Sequence, residues 1–313
     1  MAVAFVFPGQ GSQTAGMGKP LADAFEPARR VFAEVDDALG EPLSQTIWDG
    51  PADKLTLTEN AQPALMAVSL ATIRVLEAEA GLDLTRDAAF VAGHSLGEYS
   101  ALAAARSLTV ADTARLLKRR GQAMQRAVPV GAGAMAALLG LELEAARAVV
   151  SEAAQGQVCA VANDNGAGQI VVSGDKAAVE RAIAAAATRG AKRSIMLPVS
   201  APFHCPLMAP AAEAMEAALA EVALAQPYLP VVANVTAAAV SDPDAIRPLL
   251  VQQVTGMVRW RESVLYMKEQ GVDSVVEVGA GRVLSGLAKR IDRDLATASL
   301  GAPGEIEAFV KSL

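Results

Sequence analysis

Phe90-Val91-Ala92-Gly93-His94-Ser95-Leu96-Gly97-Glu98 places an apolar strand, a Gly-x-Ser-x-Gly turn and the start of a helix in immediate succession. That context marks a nucleophile elbow, in which the serine sits on a tight strand-to-helix turn with its hydroxyl exposed. Gly93 and Gly97 leave out side chains that would clash across the turn. The helix that follows, with Glu98 in its first turn, aims its N-terminal N–H groups at the same spot. The plainer alternative is a packing turn with Ser95 as a helix N-cap.

Working outward, short apolar strands alternate with helical patterns from Ala2 onward. A first strand runs to Phe7, helices cover residues 28–39 and 63–80, and a strand over 88–92 leads into the elbow. This is the rhythm of a parallel α/β sheet. A long helix over 110–126 is ended by Pro129 and the Gly131-Ala132-Gly133 stretch, which marks a domain boundary. Between there and Pro198 the order becomes strand, helix, strand, strand, helix, strand, with Asn163-Asp164-Asn165-Gly166 as the hairpin turn. That βαββαβ order is the ferredoxin-like plan. The large sheet resumes with strands over 230–235, 274–278 and 296–300, each expected to be followed by a helix. The predicted fold is thus a large α/β-hydrolase-like domain with a mostly parallel sheet (residues 1–130 and 199–313) and a small inserted ferredoxin-like subdomain (131–198).

Composition narrows the function classes. Hydrophobic residues make up 52% of the 313 and charged residues 19%, which describes a globular chain far from the disordered class. No apolar run reaches the roughly 20 residues of a bilayer span. Pro8-Gly9 interrupts the amino-terminal strand and no basic leader precedes it, so cytoplasmic residence is expected. Cys159 and Cys205 are too few for a disulfide framework and lack metal-ligand spacing, so no metal is expected. A net charge of −7 argues against a general nucleic-acid binder. The clusters Lys118-Arg119-Arg120, Lys192-Arg193 and Lys289-Arg290 read first as solvated helix ends. Gly9-Gln10-Gly11 and Gly279-Ala280-Gly281 do not complete a dinucleotide fingerprint, because Thr14 and Leu284 occupy its last position.

A serine hydroxyl needs a base within hydrogen-bond reach, most often histidine. The chain has two, and His94, as the neighbour of Ser95 in the turn, points elsewhere. His204, in the loop Ser200-Ala201-Pro202-Phe203-His204-Cys205-Pro206, is the better base. Cys205 is a poor rival nucleophile, since adjacent residues seldom face each other. For the group that orients the histidine, an acid such as Asp242 or Asp273 and a backbone carbonyl are both open.

Phe7-Pro8-Gly9-Gln10-Gly11-Ser12-Gln13, Gly93-His94-Ser95-Leu96-Gly97-Glu98, Arg120-Gly121-Gln122-Ala123-Met124, Asn163 and Asn165 before Gln169 and Ser173-Gly174, and Ser200 to His204 with Pro206-Leu207-Met208 occur in a fixed order across nearly the whole chain. Together these blocks resemble the malonyl-CoA:acyl-carrier-protein transacylases and are far more specific than the serine motif alone. The resemblance implies a ping-pong transfer in which Ser95 takes malonyl from coenzyme A and the phosphopantetheine thiol of acyl carrier protein removes it. His204 would be base and then acid, and the N–H groups of Gln10 and Leu96 the oxyanion hole. Such fixed donors need little reorganisation as charge develops. Arg120 falls on the family's Arg-Gly position, where a planar guanidinium suits the free malonyl carboxylate. Phe203 resembles the bulky residue that crowds the malonyl α-carbon.

Gln252-Gln253-Val254-Thr255-Gly256-Met257-Val258-Arg259-Trp260 resembles the family segment with a glutamine, an Asn-Pro pair and Val-Arg-Trp, except that Gly256-Met257 replaces Asn-Pro. The family role of Gln253 is a backbone carbonyl that orients the catalytic imidazole, without use of its side chain. The partners implied are malonyl-CoA and acyl carrier protein, with no nucleic acid, no membrane and no cofactor, the coenzyme A thioester being the substrate. The carrier would dock on Lys192, Arg193, Lys289 and Arg290. Two other functions fit the serine and histidine less well: a serine hydrolase or thioesterase acting on acyl-CoA, and a non-catalytic carrier-binding module.

Overall fold

The computed structural model describes residues 2–311. Strand β1 (Ala2–Phe7) pairs in parallel with β2 (Phe90–Gly93), with Phe7 opposite Gly93, so the turn after each strand opens at the same edge. The chain then builds β3 (Gly133–Leu139), β4 (Cys159–Asp164), β5 (Gln169–Asp175) and β6 (Arg193–Met196). These form an antiparallel sheet of order β4-β5-β3-β6, the ferredoxin-like arrangement. It returns to the first sheet with β7 (Val231–Ala233), β8 (Ala238–Val240), β9 (Val272–Val278) and β10 (Ala296–Leu300). The large sheet has order β10-β9-β1-β2-β7-β8, parallel except for the last pair.

Two local expectations change. The strand at 231–233 is followed by the short antiparallel β8 and not by a helix, because Asn234 to Ala237 turn the chain back, Ala237 adopting a φ of 53°. Asn163 and Asp164 belong to β4, and the hairpin turn lies one step later, where Gly166, Ala167 and Gly168 all have positive φ. Asp164 Oδ1 accepts from the Gly166 N–H at 3.1 Å and closes that turn.

The small sheet shows why it covers the site. Along β3, Ala134, Ala136 and Leu138 pack on the helices Leu143–Ala154 and Lys176–Thr188, while Met135 and Ala137 alternate to the opposite face and line a cavity. Val171 on β5 does the same, with Ile170 and Val172 turned to the helices. One face of the subdomain is its own core and the other is a roof.

Beneath that roof the helix Thr58–Ala80 is buried on nearly every side and packs against the helix Val110–Ala127. Gly121 makes the approach close, since a Cβ there would lie 2.4 Å from Glu59 Cα. This contact sets Arg120 beside Gln62 of the neighbouring helix. Among the described residues no helix is long and apolar enough to cross a membrane.

Candidate active site

Backbone sterics build the serine turn before any side chain acts. A Cβ on Gly93 would lie 1.9 Å from the carbonyl of Gly97, and one on Gly97 would lie 2.2 Å from the Phe7 carbonyl oxygen. Only glycines permit so tight a turn against β1. Ser95 itself is held at φ 54°, a strained backbone for a residue with a Cβ, and one that marks functional turns. Asn234 clips the turn from the side: its Oδ1 accepts from the Ser95 N–H at 2.7 Å and its Nδ2 donates to the Gly93 carbonyl at 2.7 Å.

His204, also at positive φ (57°), meets the serine from the loop after β6. Its Nε2 lies 2.8 Å from Ser95 Oγ, and its Nδ1 lies 2.9 Å from the Gln253 carbonyl and 3.1 Å from that of Gly256. Carbonyls only accept, so the proton sits on Nδ1 and Nε2 is left to accept from the serine hydroxyl. Burial, and then the positive charge of Arg120, push the His204 pKa down to about 3, which keeps the ring neutral. Asp242 caps the helix Pro243–Thr255 and Asp273 lies in β9, so carbonyls and not an acid orient the imidazole. Gly256 in place of the family's asparagine leaves this loop able to present both carbonyls.

Arg120 is 1% exposed. Its Nη1 donates to Gln62 Oε1 at 2.8 Å, and its Nη2 to Gln253 Oε1 at 2.9 Å and to Ser95 Oγ at 3.2 Å. Its Nε has no partner among the described residues. A buried cation with an unused donor, beside a serine, is able to receive an anion. Its neighbours in sequence do otherwise: Lys118 pairs with Glu41 and Arg119 with Glu221 at the surface.

Around these groups lies a cavity of about 500 Å³, lined by Gln10, Leu96, Met124, Phe203 and the roof residues of β3 and β5. Neither the Gln10 nor the Leu96 main-chain N–H is taken by an acceptor among the described residues. The Gln10 side chain is fixed, accepting from Thr58 Oγ1 at 2.7 Å. Phe203 is 8% exposed and reaches the cavity beside His204. The Gly279-Ala280-Gly281 turn leads into the helix Val283–Ile291, whose Val283, Leu284 and Leu287 form an apolar wall.

His94 turns away from the serine, its Nε2 2.8 Å from Asn165 Oδ1 and its ring tilted against Trp260. Cys205 is fully buried and donates to the Pro202 carbonyl, and burial raises its thiol pKa. The Gln253 carbonyl meets His204 as expected, and a further role joins it. The Gln253 side chain does work of its own: Oε1 accepts from Arg120, and Nε2 donates to the Ser95 carbonyl at 3.0 Å and to Glu98 Oε2 at 2.7 Å. Sequence reasoning also missed Gln62, Asn234 and the burial of Glu98. For Glu98 a signal was present, because a carboxylate between Leu96 and the apolar run from Tyr99 to Ala105 has no solvent face to occupy.

Comparison with known proteins finds the same architecture. The acyl transferase domain family matches residues 4–297. The malonyl CoA-acyl carrier protein transacylase of Escherichia coli K12 is 47% identical over 308 residues, 98% of each chain. The crystal structure of an acyl-carrier-protein-S-malonyltransferase from Bartonella henselae is 55% identical and superposes with a TM-score of 0.97 over 100% of this chain and 99% of that one. A malonyl-transacylase solved in complex with its holo type II polyketide synthase acyl carrier protein is 42% identical, with a TM-score of 0.96 and full coverage of both chains.

Proposed function

Because this chain belongs to the acyl transferase family, matching malonyl-CoA–acyl carrier protein transacylases along nearly its whole length, we propose that it moves malonyl from coenzyme A to the phosphopantetheine thiol of acyl carrier protein through a malonyl-Ser95 ester. The observation that carries this reading is the convergence of His204 and Arg120 on one oxygen, Ser95 Oγ. A base there makes the serine a nucleophile, and a buried guanidinium there gives the acyl group a reason to end in a carboxylate.

In the first half-reaction Ser95 Oγ gives its proton to His204 Nε2 and attacks the thioester carbonyl. Charge on the carbonyl oxygen is held by the N–H groups of Gln10 and Leu96, where loss of one donor typically costs about 3 to 4 kcal/mol of barrier. When the carbon–sulfur bond breaks, His204 returns the proton to the departing coenzyme A thiolate. In the second half-reaction the carrier thiol gives its proton to His204, attacks the serine ester, and Oγ leaves with that proton. Gln253 and Gly256 hold the imidazole in the required tautomer throughout. The thioester supplies the activation, so this scheme uses no cofactor and no metal. Phe203 crowds the acyl α-carbon against a methyl branch, a discrimination of only about 1 to 3 kcal/mol. The malonyl units feed fatty-acid or polyketide chain extension, in the cytoplasm, where the two free cysteines would persist.

The test is a pre-steady-state assay with labelled malonyl-CoA. One equivalent of free coenzyme A should appear in a burst, and the label should then leave the protein only when holo carrier is added. Rapid release of malonate to water without a thiol acceptor would instead make the protein a hydrolase.

For the carrier, Lys192, Arg193, Lys289 and Arg290 are all exposed, as are the apolar Met196 and Val283. Lys289 is partly occupied, its Nζ donating to the carbonyls of Arg293 and Leu295. Reversing all four charges is expected to raise the KM for carrier about tenfold or more at low salt, with the KM for malonyl-CoA changed far less. An unchanged carrier KM would remove these residues from the docking surface.

A further inference from the structure

Arg120 has no carboxylate in direct contact among the described residues; its three acceptors are Gln62, Gln253 and Ser95. A cation 1% exposed needs a counter-charge, and the structure supplies one at a single remove. Gln253 Oε1 accepts a hydrogen bond from Arg120, and Gln253 Nε2 donates one to Glu98 Oε2 at 2.7 Å. The same Oε2 accepts from the Asn234 N–H at 3.0 Å, and Glu98 is 2% exposed. The site therefore contains one guanidinium and one carboxyl group bridged by an amide.

Resting on the reading of Arg120 as the seat of the malonyl carboxylate, we propose that Glu98 is the counter-charge Arg120 gives up when substrate binds, so that seating a malonyl group is coupled to uptake of one proton by Glu98. A second carboxylate entering this dry space leaves two anions around one cation, and such pairs do not both stay ionised. Malonyl keeps its charge because it touches the guanidinium. Glu98, held one amide away, takes the proton. Acyl groups without a carboxylate leave the original pair intact and bind with no proton taken up.

The electrostatics support this arrangement. Burial pushes the Glu98 pKa up to about 7, against the Asn234 and Gln253 hydrogen bonds and the Arg120 charge, all of which lower it. Arg120 on the helix Val110–Ala127 and Tyr99 on its own helix are the charged and titratable groups coupled to it. Asn234 and Gln253 are neutral, and His204 makes no hydrogen bond to Glu98, being linked to it through Gln253 and through Ser95 and Arg120. Glu98 is thus poised near neutrality, and a new anion raises its pKa further. Well below pH 7 it is already protonated in the free protein and little uptake occurs. Above that, binding takes up a proton, and malonyl affinity weakens as pH rises until the higher pKa of the complex is passed.

The experiment is calorimetric titration of Ser95→Ala protein with malonyl-CoA and with acetyl-CoA, from pH 6.5 to 9, in buffers of different ionisation enthalpy. Acetyl-CoA cancels the protons contributed by coenzyme A itself. Malonyl-CoA should take up a fraction of a proton more than acetyl-CoA at pH 8, and its Kd should rise about tenfold for each unit separating the free and bound pKa values. Adding Glu98→Gln, which keeps the acceptor oxygen and removes the charge, should abolish both effects. If Arg120→Ala leaves malonyl-CoA affinity unchanged, the reading of Arg120 fails. If affinity depends on Arg120 but malonyl- and acetyl-CoA take up equal protons, or the uptake survives Glu98→Gln, the role of Glu98 is overturned. Should Glu98→Gln not fold, the proton difference in Ser95→Ala protein alone decides.

Discussion

Ser95→Ala protein is expected to acquire no covalent malonyl label and to transfer malonyl at least about 10⁴-fold more slowly than the parent, since loss of a nucleophile removes the covalent route and leaves only binding and oxyanion stabilisation. The substitution is sterically mild, because alanine keeps the Cβ and the turn is built by Gly93, Gly97 and the Asn234 clip. What disappears is the one atom on which His204 and Arg120 converge. Acid-quenched samples after exposure to labelled malonyl-CoA, resolved under denaturing conditions, give the readout. Label persisting at parental level would require another nucleophile. Cys205 does not offer one, since its thiol is fully buried, donates to the Pro202 carbonyl and has a raised pKa.

Why this serine was legible in the sequence while its supports were not follows from how each is encoded. The elbow is local: strand, glycines and helix are consecutive, and backbone sterics act between residues four apart. The ferredoxin-like insert was legible for a similar reason, as period-2 strands and helical runs alternate within about 65 residues and leave one pairing order. His204 came by elimination from only two histidines. Gln62 and Asn234 carry no such mark. Each is a neutral side chain whose role comes from a contact far along the chain, Gln62 meeting Arg120 across a helix pair and Asn234 meeting Ser95 from the turn after the neighbouring strand. The turn after β7 shows the same limit, because three buried residues, Val231 to Ala233, do not announce whether a helix or a returning strand follows. Gln253 was half legible. Its carbonyl role followed from the family segment, whereas its side-chain bonds to Arg120, Ser95 and Glu98 exist only once three separate segments meet.

Arg120→Ala should separate malonyl transfer from acyl transfer in general. Truncating one partner of a buried charged contact costs about 2 to 5 kcal/mol, which lowers kcat/KM for malonyl-CoA by between about 30-fold and several thousand-fold. For acetyl-CoA, which brings no carboxylate, the loss should stay within about tenfold, so the preference for malonyl collapses or inverts. The distinction rests on geometry. Arg120 reaches Ser95 Oγ at 3.2 Å and is fixed by Gln62 and Gln253, so its unpartnered Nε is offered to an anion at a set place. Alanine also leaves a cavity and two amides without their donor, so folded protein must be verified by thermal melting. Arg120→Lys is the companion variant: it keeps the charge but loses the planar fork, and should fall between parent and alanine on malonyl-CoA. Equal losses on malonyl- and acetyl-CoA in folded Arg120→Ala protein would mean that Arg120 serves the serine and its surroundings alone. The acyl carboxylate would then have to be recognised elsewhere in the cavity.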